Sequence, residues 1–209
     1  LETDAAGNAI LASVESSSLY RIEKYDAAGN QLWMHEESGD GLALSDAFMA
    51  VDPVSGDVVV TGALEIFDEQ NAKVVARLWR HAPDGQVLWS FDTEADFEIG
   101  RDLAMGPESE VYLLSTLAVT VGSQVTRVSA AGAVEWSRSY VEDDFQTSMR
   151  QVEVSSHGDV IVGGIDAVPP GTFHGARILR YSSAGDLLWT SRITEEPAAG
   201  SDLATGPNG

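Results

Sequence analysis

Four times in 209 residues, the chain places a tryptophan four positions after a glycine. The four pairs are Gly29 and Trp33, Gly85 and Trp89, Gly132 and Trp136, and Gly185 and Trp189. Successive tryptophans are 56, 47 and 53 residues apart, which is close to the length of one four-stranded propeller blade. The repeat therefore predicts an all-β fold, a β-propeller of four-stranded antiparallel blades, with about four blades in this chain.

A second marker alternates with the tryptophans. Before each one, a turn of small or polar residues leads into an apolar, mostly β-branched run, as in Ser55-Gly56-Asp57 followed by Val58-Val59-Val60. In the second repeat, strands are predicted at Ala47 to Val51, Val58 to Leu64, Lys73 to Arg80 and Val87 to Phe91. The repeats are expected at roughly 1–40, 41–95, 96–142 and 143–200, with a further one starting at 201–209, all within a single domain.

The tryptophans fall on the predicted last strand of each blade, at the rim. A large ring there can cover apolar surface between neighbouring blades while its N–H finds a partner. We therefore interpret the eight glycine and tryptophan positions as structural repeat positions rather than as a site.

Basic residues also recur at fixed places in the repeat. One position of the predicted third strand holds Lys24, Arg80, Arg127 and Arg180. A second position holds Arg21, Arg77 and Arg177, with Gln124 in the remaining repeat. We expect these cations to pair with carboxylates; the alternative is a ring of cations for an anionic ligand.

The formal net charge of −21 limits the possible partners. It argues against binding of nucleic acid, which needs clustered cations, and against binding to anionic membrane surfaces. The sequence has no run of eighteen apolar residues, so membrane insertion is not predicted. Acidic stretches such as Glu142-Asp143-Asp144 and Asp92 to Asp96 lack the spacing of a calcium-binding loop, and we interpret them as solvated surface. Cysteine is absent, which excludes disulfides and thiolate sites.

The sequence contains no recognisable catalytic constellation, and we predict no catalytic residue, no cofactor and no metal ligand. The four histidines fall in different parts of different repeats and never at metal-ligand spacing. His81 stands where the other repeats have Tyr25, Val128 and Tyr181, so we expect it to be a packed strand residue.

The segments Lys24 to Trp33 and Val51 to Gly62 resemble the bacterial β-propeller repeats of the SBBP kind, which occur in predicted secreted proteins and lipoproteins. The resemblance covers essentially the whole chain. It implies an extracellular, cell-surface or periplasmic location, while the family itself is mostly uncharacterised. The repeats are more loosely similar to quinoprotein propellers, but their turn is one residue shorter and lacks the threonine of that docking motif. Binding of pyrroloquinoline quinone is therefore not expected.

The two ends of the chain match in their position within the repeat. Leu1 to Gly7 corresponds to Leu203 to Gly209, an offset of 202 residues. Either Ser201 to Thr205 supplies a first strand that closes a four-bladed ring, or the chain is part of a larger propeller. In the second case, open blade faces would favour self-association.

Two functions of different class follow from these observations. The first is a non-catalytic interaction scaffold that presents the variable loops Glu65 to Ala72 and Ala167 to His174 to a protein or a glycan. The alternative is an enzyme, a lyase or hydrolase, with a site at the mouth of a propeller channel.

Overall fold

The structure is a computed structural model, and it describes residues 1–16, 19–38, 47–67, 72–94, 97–117, 122–141, 146–168, 172–193 and 203. Sixteen strands occupy the described residues. The first sheet contains β1 (Glu2–Thr3), β2 (Ala9–Ser16), β3 (Leu19–Tyr25) and β4 (Gln31–Ser38). The second contains β5 (Phe48–Val51), β6 (Val58–Phe67), β7 (Ala72–His81) and β8 (Val87–Asp92). The third contains β9 (Glu98–Met105), β10 (Val111–Leu117), β11 (Gly122–Val128) and β12 (Val134–Tyr140). The fourth contains β13 (Gln146–Val154), β14 (Val160–Val168), β15 (Thr172–Tyr181) and β16 (Leu187–Ile193).

Each sheet is an antiparallel meander in which strands pair in chain order. The predicted class is confirmed: the fold is all-β and built from four-stranded blade-like sheets. The four strands predicted in the second repeat are found, with ends that differ by three residues or fewer. The described residues contain no helix long and apolar enough to span a bilayer.

The register is the same in every sheet. The third-strand cation lies directly opposite the tryptophan of the fourth strand, in the pairs Lys24 and Trp33, Arg80 and Trp89, Arg127 and Trp136, and Arg180 and Trp189. The register then shifts by one residue immediately after each cation. Facing residues in antiparallel strands have neighbouring side chains, so the repeat brings a cation and an indole together four times.

Glycine is required in the turns between the third and fourth strands because the backbone there is left-handed. The φ angles are +84° at Gly29, +92° at Gly85, +85° at Gly132 and +85° at Gly185. Residues with a Cβ are disfavoured in this region, whereas glycine enters it freely. The bulge that follows each turn is that of a short hairpin closed by a left-handed residue.

The chain forms two compact units, Leu1–Gly100 and Arg101–Gly209. In the first unit, side chains of the first and second sheets form one buried core, which includes Ile10, Tyr20, Val60 and Trp79. The second unit has its own core, which includes Tyr112, Met149, Val162 and Leu179. Hydrophobic burial of this kind is the main favourable term in folding. The single-domain organisation inferred from the repeat stays a prediction.

Most of the terminal segment 201–209, the proposed ring-closing strand included, lies outside the described residues. Leu203 is described, and its side chain lies 3.6 Å from where a Cβ would stand on Gly163 of β14. A larger side chain at Gly163 would therefore contact Leu203.

Each core contains a buried tyrosine, and the two differ in the hydrogen bonding of the hydroxyl. Tyr20 is fully buried and stacks on Trp79 with 4.9 Å between ring centroids, but its hydroxyl has no hydrogen-bond partner among the described residues. Tyr112 is equally buried, and its hydroxyl donates to Glu110 at 3.1 Å. A buried hydroxyl without a partner costs free energy that a satisfied one does not.

Removing the two hydroxyls should therefore have opposite effects. We expect Tyr20→Phe to raise the free energy of unfolding by about 1 kcal/mol, because a desolvated hydroxyl disappears and the ring stack remains. Tyr112→Phe should lower it by about 1–3 kcal/mol, because buried Glu110 loses a donor. Urea unfolding measured by near-ultraviolet circular dichroism distinguishes the two; a loss of stability in Tyr20→Phe would contradict the assignment.

Candidate functional site

In the first unit, an indole of the first sheet docks on a turn of the second. Trp33 Nε1 donates a hydrogen bond to the backbone carbonyl of Pro83 at 2.9 Å. The indole also lies flat against Gly85, where a Cβ would stand 2.8 Å from Trp33 Cδ2. Lys24 Nζ donates to the same Pro83 carbonyl at 3.1 Å. We call this arrangement, in which an indole and the facing cation share one carbonyl of the next turn, the tryptophan latch.

The second unit contains the same latch between the third and fourth sheets. Trp136 Nε1 donates to the carbonyl of Ser183 at 3.0 Å, and Arg127 Nη1 donates to it at 3.1 Å. A Cβ on Gly185 would stand 2.9 Å from Trp136 Cδ2. In both units the indole Nε1 and the facing cation donate to the carbonyl two residues before the turn glycine, so the latch occurs once in each unit.

Four of the eight predicted repeat positions are thus brought together in two pairs, Trp33 with Gly85 and Trp136 with Gly185. Trp89 and Gly132 occupy the same places in their own sheets, with Trp89 half-buried and Gly132 left-handed. Gly29 and Trp189 are each more open in their own sheets. Around Gly29 there is open space where a Cβ would stand, and Trp189 is 43% exposed.

The predicted pairing of the recurring cations with carboxylates is confirmed at the first recurring position in all four sheets and at Arg21 and Arg77 of the second; Arg177 donates to Thr190 Oγ1 at 3.5 Å and lies over the Tyr140 ring. The ion pairs are Lys24 with Asp4 at 2.9 Å, Arg80 with Asp52 at 2.7 Å and Asp57 at 2.8 Å, Arg127 with Glu135 at 2.9 Å and Glu110 at 3.3 Å, and Arg180 with Asp159 at 2.8 Å. At the second recurring position, Arg21 pairs with Glu36, and Arg77 pairs with Asp92. These cations are therefore engaged within the fold, and the ring for an anionic ligand finds no support here.

A crevice of about 470 Å³ opens in the first unit beside the latch. Its walls are the turn between β1 and β2, the turn between β5 and β6, and the latch residue Pro83. The lining residues are Thr3, Asp4, Ala5, Ala6, Val51, Asp52, Pro53, Val54, Ser55, Gly56 and Pro83. Val54 is 73% exposed at the rim. The latch positions this site, because Pro83 belongs to both.

The two carboxylates of the crevice are already occupied by the turns that carry them. Asp4 accepts hydrogen bonds from the backbone of Ala6 and Asn8 and from the Asn8 side chain. Burial alone would raise the pKa of Asp4, but hydrogen bonds from Lys24 and Asn8 and the charge of Lys24 hold it well below its usual range. A carboxyl that stays ionised at all ordinary pH values is a poor proton carrier.

Asp52 is held in the same way. Its carboxylate is fully buried and accepts from the Val54 backbone at 2.9 Å, the Ser55 hydroxyl at 2.8 Å and Arg80 at 2.7 Å. Both carboxylates that line the crevice are therefore engaged within the fold.

A pair of imidazoles lies next to the first latch. His81 is fully buried, as expected for a packed strand residue, and its ring centroid lies 4.7 Å from that of His35 and 6.2 Å from that of Trp33. His35 in turn faces Glu37 at 3.5 Å. Burial, followed by the charge of His35, lowers the pKa of His81 to about 4. Among the described residues, no group of three or more His, Asp or Glu side chains is arranged to hold a metal ion.

The buried imidazole makes the first unit sensitive to acid. Because the pKa of His81 is lower in the folded chain than in the unfolded one, only the unfolded chain gains this proton between about pH 6.5 and 4. The contribution of His81 to the free energy of unfolding is complete above pH 6.5, and it falls by about 3 kcal/mol as the pH drops to 4. We expect His81→Phe to flatten the pH dependence of unfolding in this window, and His157→Gln, at an exposed turn, to leave it unchanged. An equally steep loss in His81→Phe would contradict the role of His81.

The packing of the latch can be tested on the glycine that receives the indole. Gly85→Ala and Gly7→Ala both place a Cβ at a left-handed position, with φ of +92° and +79°, which costs roughly 1–2 kcal/mol. At Gly7 the Cβ meets no atom within 4 Å, whereas at Gly85 it overlaps Trp33. We expect Gly85→Ala to lower the unfolding free energy by at least about 1 kcal/mol more than Gly7→Ala. Equal losses in the two variants would contradict the latch contact.

Solved structures with the same type of fold exist, although no protein-family model matches the chain and no curated protein matches it in sequence. A protein of unknown function from Bacteroides caccae superposes with a TM-score of 0.51 and 11% identity over 90% of this chain and 58% of its own. A gluconolactonase, XC5397 from Xanthomonas campestris, superposes with a TM-score of 0.51 and 17% identity over 93% of this chain and 61% of its own. The fold is of the β-propeller type. The chain spans about three fifths of the length of these neighbours.

Several residues of interest could not be found from the sequence. The crevice and the latch acceptors have no sequence signal, because the acceptors are backbone carbonyls carried by residues as different as Pro83 and Ser183. Residues 68–71 and 169–171 of the two variable loops lie outside the described residues, as does the acidic stretch Glu142-Asp143-Asp144.

Proposed function

We propose that this chain is a non-catalytic β-propeller scaffold that binds a protein partner through the crevice beside Pro83. The observation that supports the proposal is that the crevice combines exposed apolar walls with carboxylates that are fully engaged by their own turns. A concave, largely preformed surface of this kind binds by shape and desolvation.

The chemistry of the crevice favours a peptide over a glycan. A sugar presents many hydroxyls, which need side chains with unused hydrogen-bonding capacity. Among the described residues, no aromatic ring lines the crevice, and the side chains of Asp4, Asp52 and Ser55 are hydrogen-bonded within their turns. An apolar side chain inserted between Val54 and Pro83 meets none of these costs.

The net charge of the chain favours peptides of opposite charge. At −21 the chain attracts cations over its whole surface and repels anions. Lys24 and Arg80, the cations that contact the two crevice carboxylates, are buried in pairs with them. A basic segment that carries one apolar anchor is therefore the favoured ligand, and charge complementarity raises its association rate.

The resemblance to secreted propeller repeats of the SBBP kind supports an extracellular, cell-surface or periplasmic setting for this interaction. The variable loops Glu65 to Ala72 and Ala167 to His174 remain proposed contributors to the same binding role, since loops on a rigid scaffold are where binding residues gather.

The proposal is tested by panning a phage-displayed library of random linear peptides against the immobilised chain, with a glycan array run in parallel. We expect enrichment of peptides with Lys or Arg around one apolar residue, and binding that weakens as salt is added. Val54→Asp places a charge at the rim of the crevice and should reduce binding at least about tenfold. Val141→Asp, at an exposed valine that does not line the crevice, serves as the control for the added charge.

Other outcomes would overturn the proposal. Glycan binding without peptide enrichment, or peptide binding that Val54→Asp leaves intact, would remove the crevice from the function. The alternative of an enzyme with a site at a channel mouth has support from the fold that the chain shares with a gluconolactonase. Hydrolysis of gluconolactone above the spontaneous rate would favour it.

A further inference from the structure

The fourth sheet carries a complete set of latch donors. Trp189 faces Arg180 across β15 and β16, as Trp33 faces Lys24 and Trp136 faces Arg127. Trp189 is nevertheless 43% exposed, whereas the two latched indoles are half-buried. Leu187 and Leu188 on the same strand are 48% and 50% exposed. An amphipathic indole at a position that elsewhere docks on a turn marks a surface that fits a partner.

The guanidinium of Arg180 is placed like that of Arg127. Arg180 Nε and Nη2 both bond Asp159. Arg127 directs Nε and Nη2 to carboxylates and uses Nη1 for the latch carbonyl. Nη1 of Arg180 is therefore the equivalent donor in the fourth sheet.

The first sheet carries the matching acceptor. Its turn has the same backbone as the two latched turns: the glycine N–H bonds the carbonyl three residues earlier at 2.9 Å in Gly29, Gly85 and Gly185. In the latched turns an indole lies within 3 Å of the position of a glycine Cβ, while at Gly29 no atom lies within 4 Å of it. The carbonyl equivalent to those of Pro83 and Ser183 belongs to Ala27.

We propose that Trp189 and Arg180 form a third tryptophan latch on the carbonyl of Ala27 in a second copy of this chain. The choice of partner rests on self-complementarity, because the donor half and the acceptor half are both present on one chain and fit by the geometry that the two observed latches define. The contact joins two different surfaces and is therefore heterologous, so it builds a closed ring of copies or a growing chain of them. It is independent of the peptide-binding function.

The test is the mass of the intact 209-residue chain in solution, measured by light scattering over a range of concentrations. We expect a dimer or larger species that dissociates on dilution. Trp189→Ala should weaken association at least about tenfold, and Leu88→Ala, at a 49% exposed leucine on the outer strand of the second sheet, should change it much less. Both positions are on the surface of an outer strand, so the variants are expected to fold.

The acceptor side has its own matched pair. Gly29→Ala and Gly7→Ala carry the same left-handed strain in the same sheet, and in both the Cβ points into open space. Gly29→Ala alone would overlap the indole of the partner, as the latched turns show, and should weaken association as Trp189→Ala does.

A chain that stays monomeric at every concentration would overturn the proposal. This holds also if Trp189 of that monomer is shielded from acrylamide quenching, because the latch would then be closed within one chain. Association that survives both Trp189→Ala and Gly29→Ala would also overturn it, because the copies would then meet through another surface.

Discussion

The shared backbone carbonyl is the interaction on which the organisation of each unit depends. The apolar faces of neighbouring sheets attract one another without direction, so burial alone does not fix how one sheet is placed on the next. The carbonyl of Pro83 or Ser183 adds direction, because an indole N–H and a cation must reach the same atom. The flat contact between the indole and a bare glycine then sets the spacing. Crevice, core and buried histidine all lie around this one contact in the first unit.

Two of the cations beside the tryptophans are also buried charges. Lys24 and Arg80 are almost completely buried, which would be costly for isolated cations. Each is paired with carboxylates of a turn in its own sheet, and Lys24 also reaches the carbonyl of the next sheet. The pairs therefore tie a turn to a strand and, through the latch, a sheet to its neighbour. Such buried pairs add little net stability, because the cost of desolvating both charges offsets their attraction.

Much of this organisation could be predicted from the sequence because its carriers are side chains that recur. The period of the tryptophans predicted the sheets, and the recurrence of Lys24, Arg80, Arg127 and Arg180 predicted their pairing with acids. The crevice could not be predicted, since it is bounded by turns that are far apart in the chain and approach only in the folded unit. Nor could the neighbours of His81, because the position varies between repeats and its environment depends on His35 and Trp33 of another sheet.

The latch requires few specific residues in the sheet that accepts the indole. It needs a glycine and a main-chain carbonyl, and both come with any short hairpin of this type, whatever side chains flank it. A sheet added by duplication would therefore dock on its neighbour without a new set of complementary side chains. Growth and shrinkage of such an array by whole repeats is thus mechanically simple, and sequence drift in the turns leaves the joints between the sheets intact.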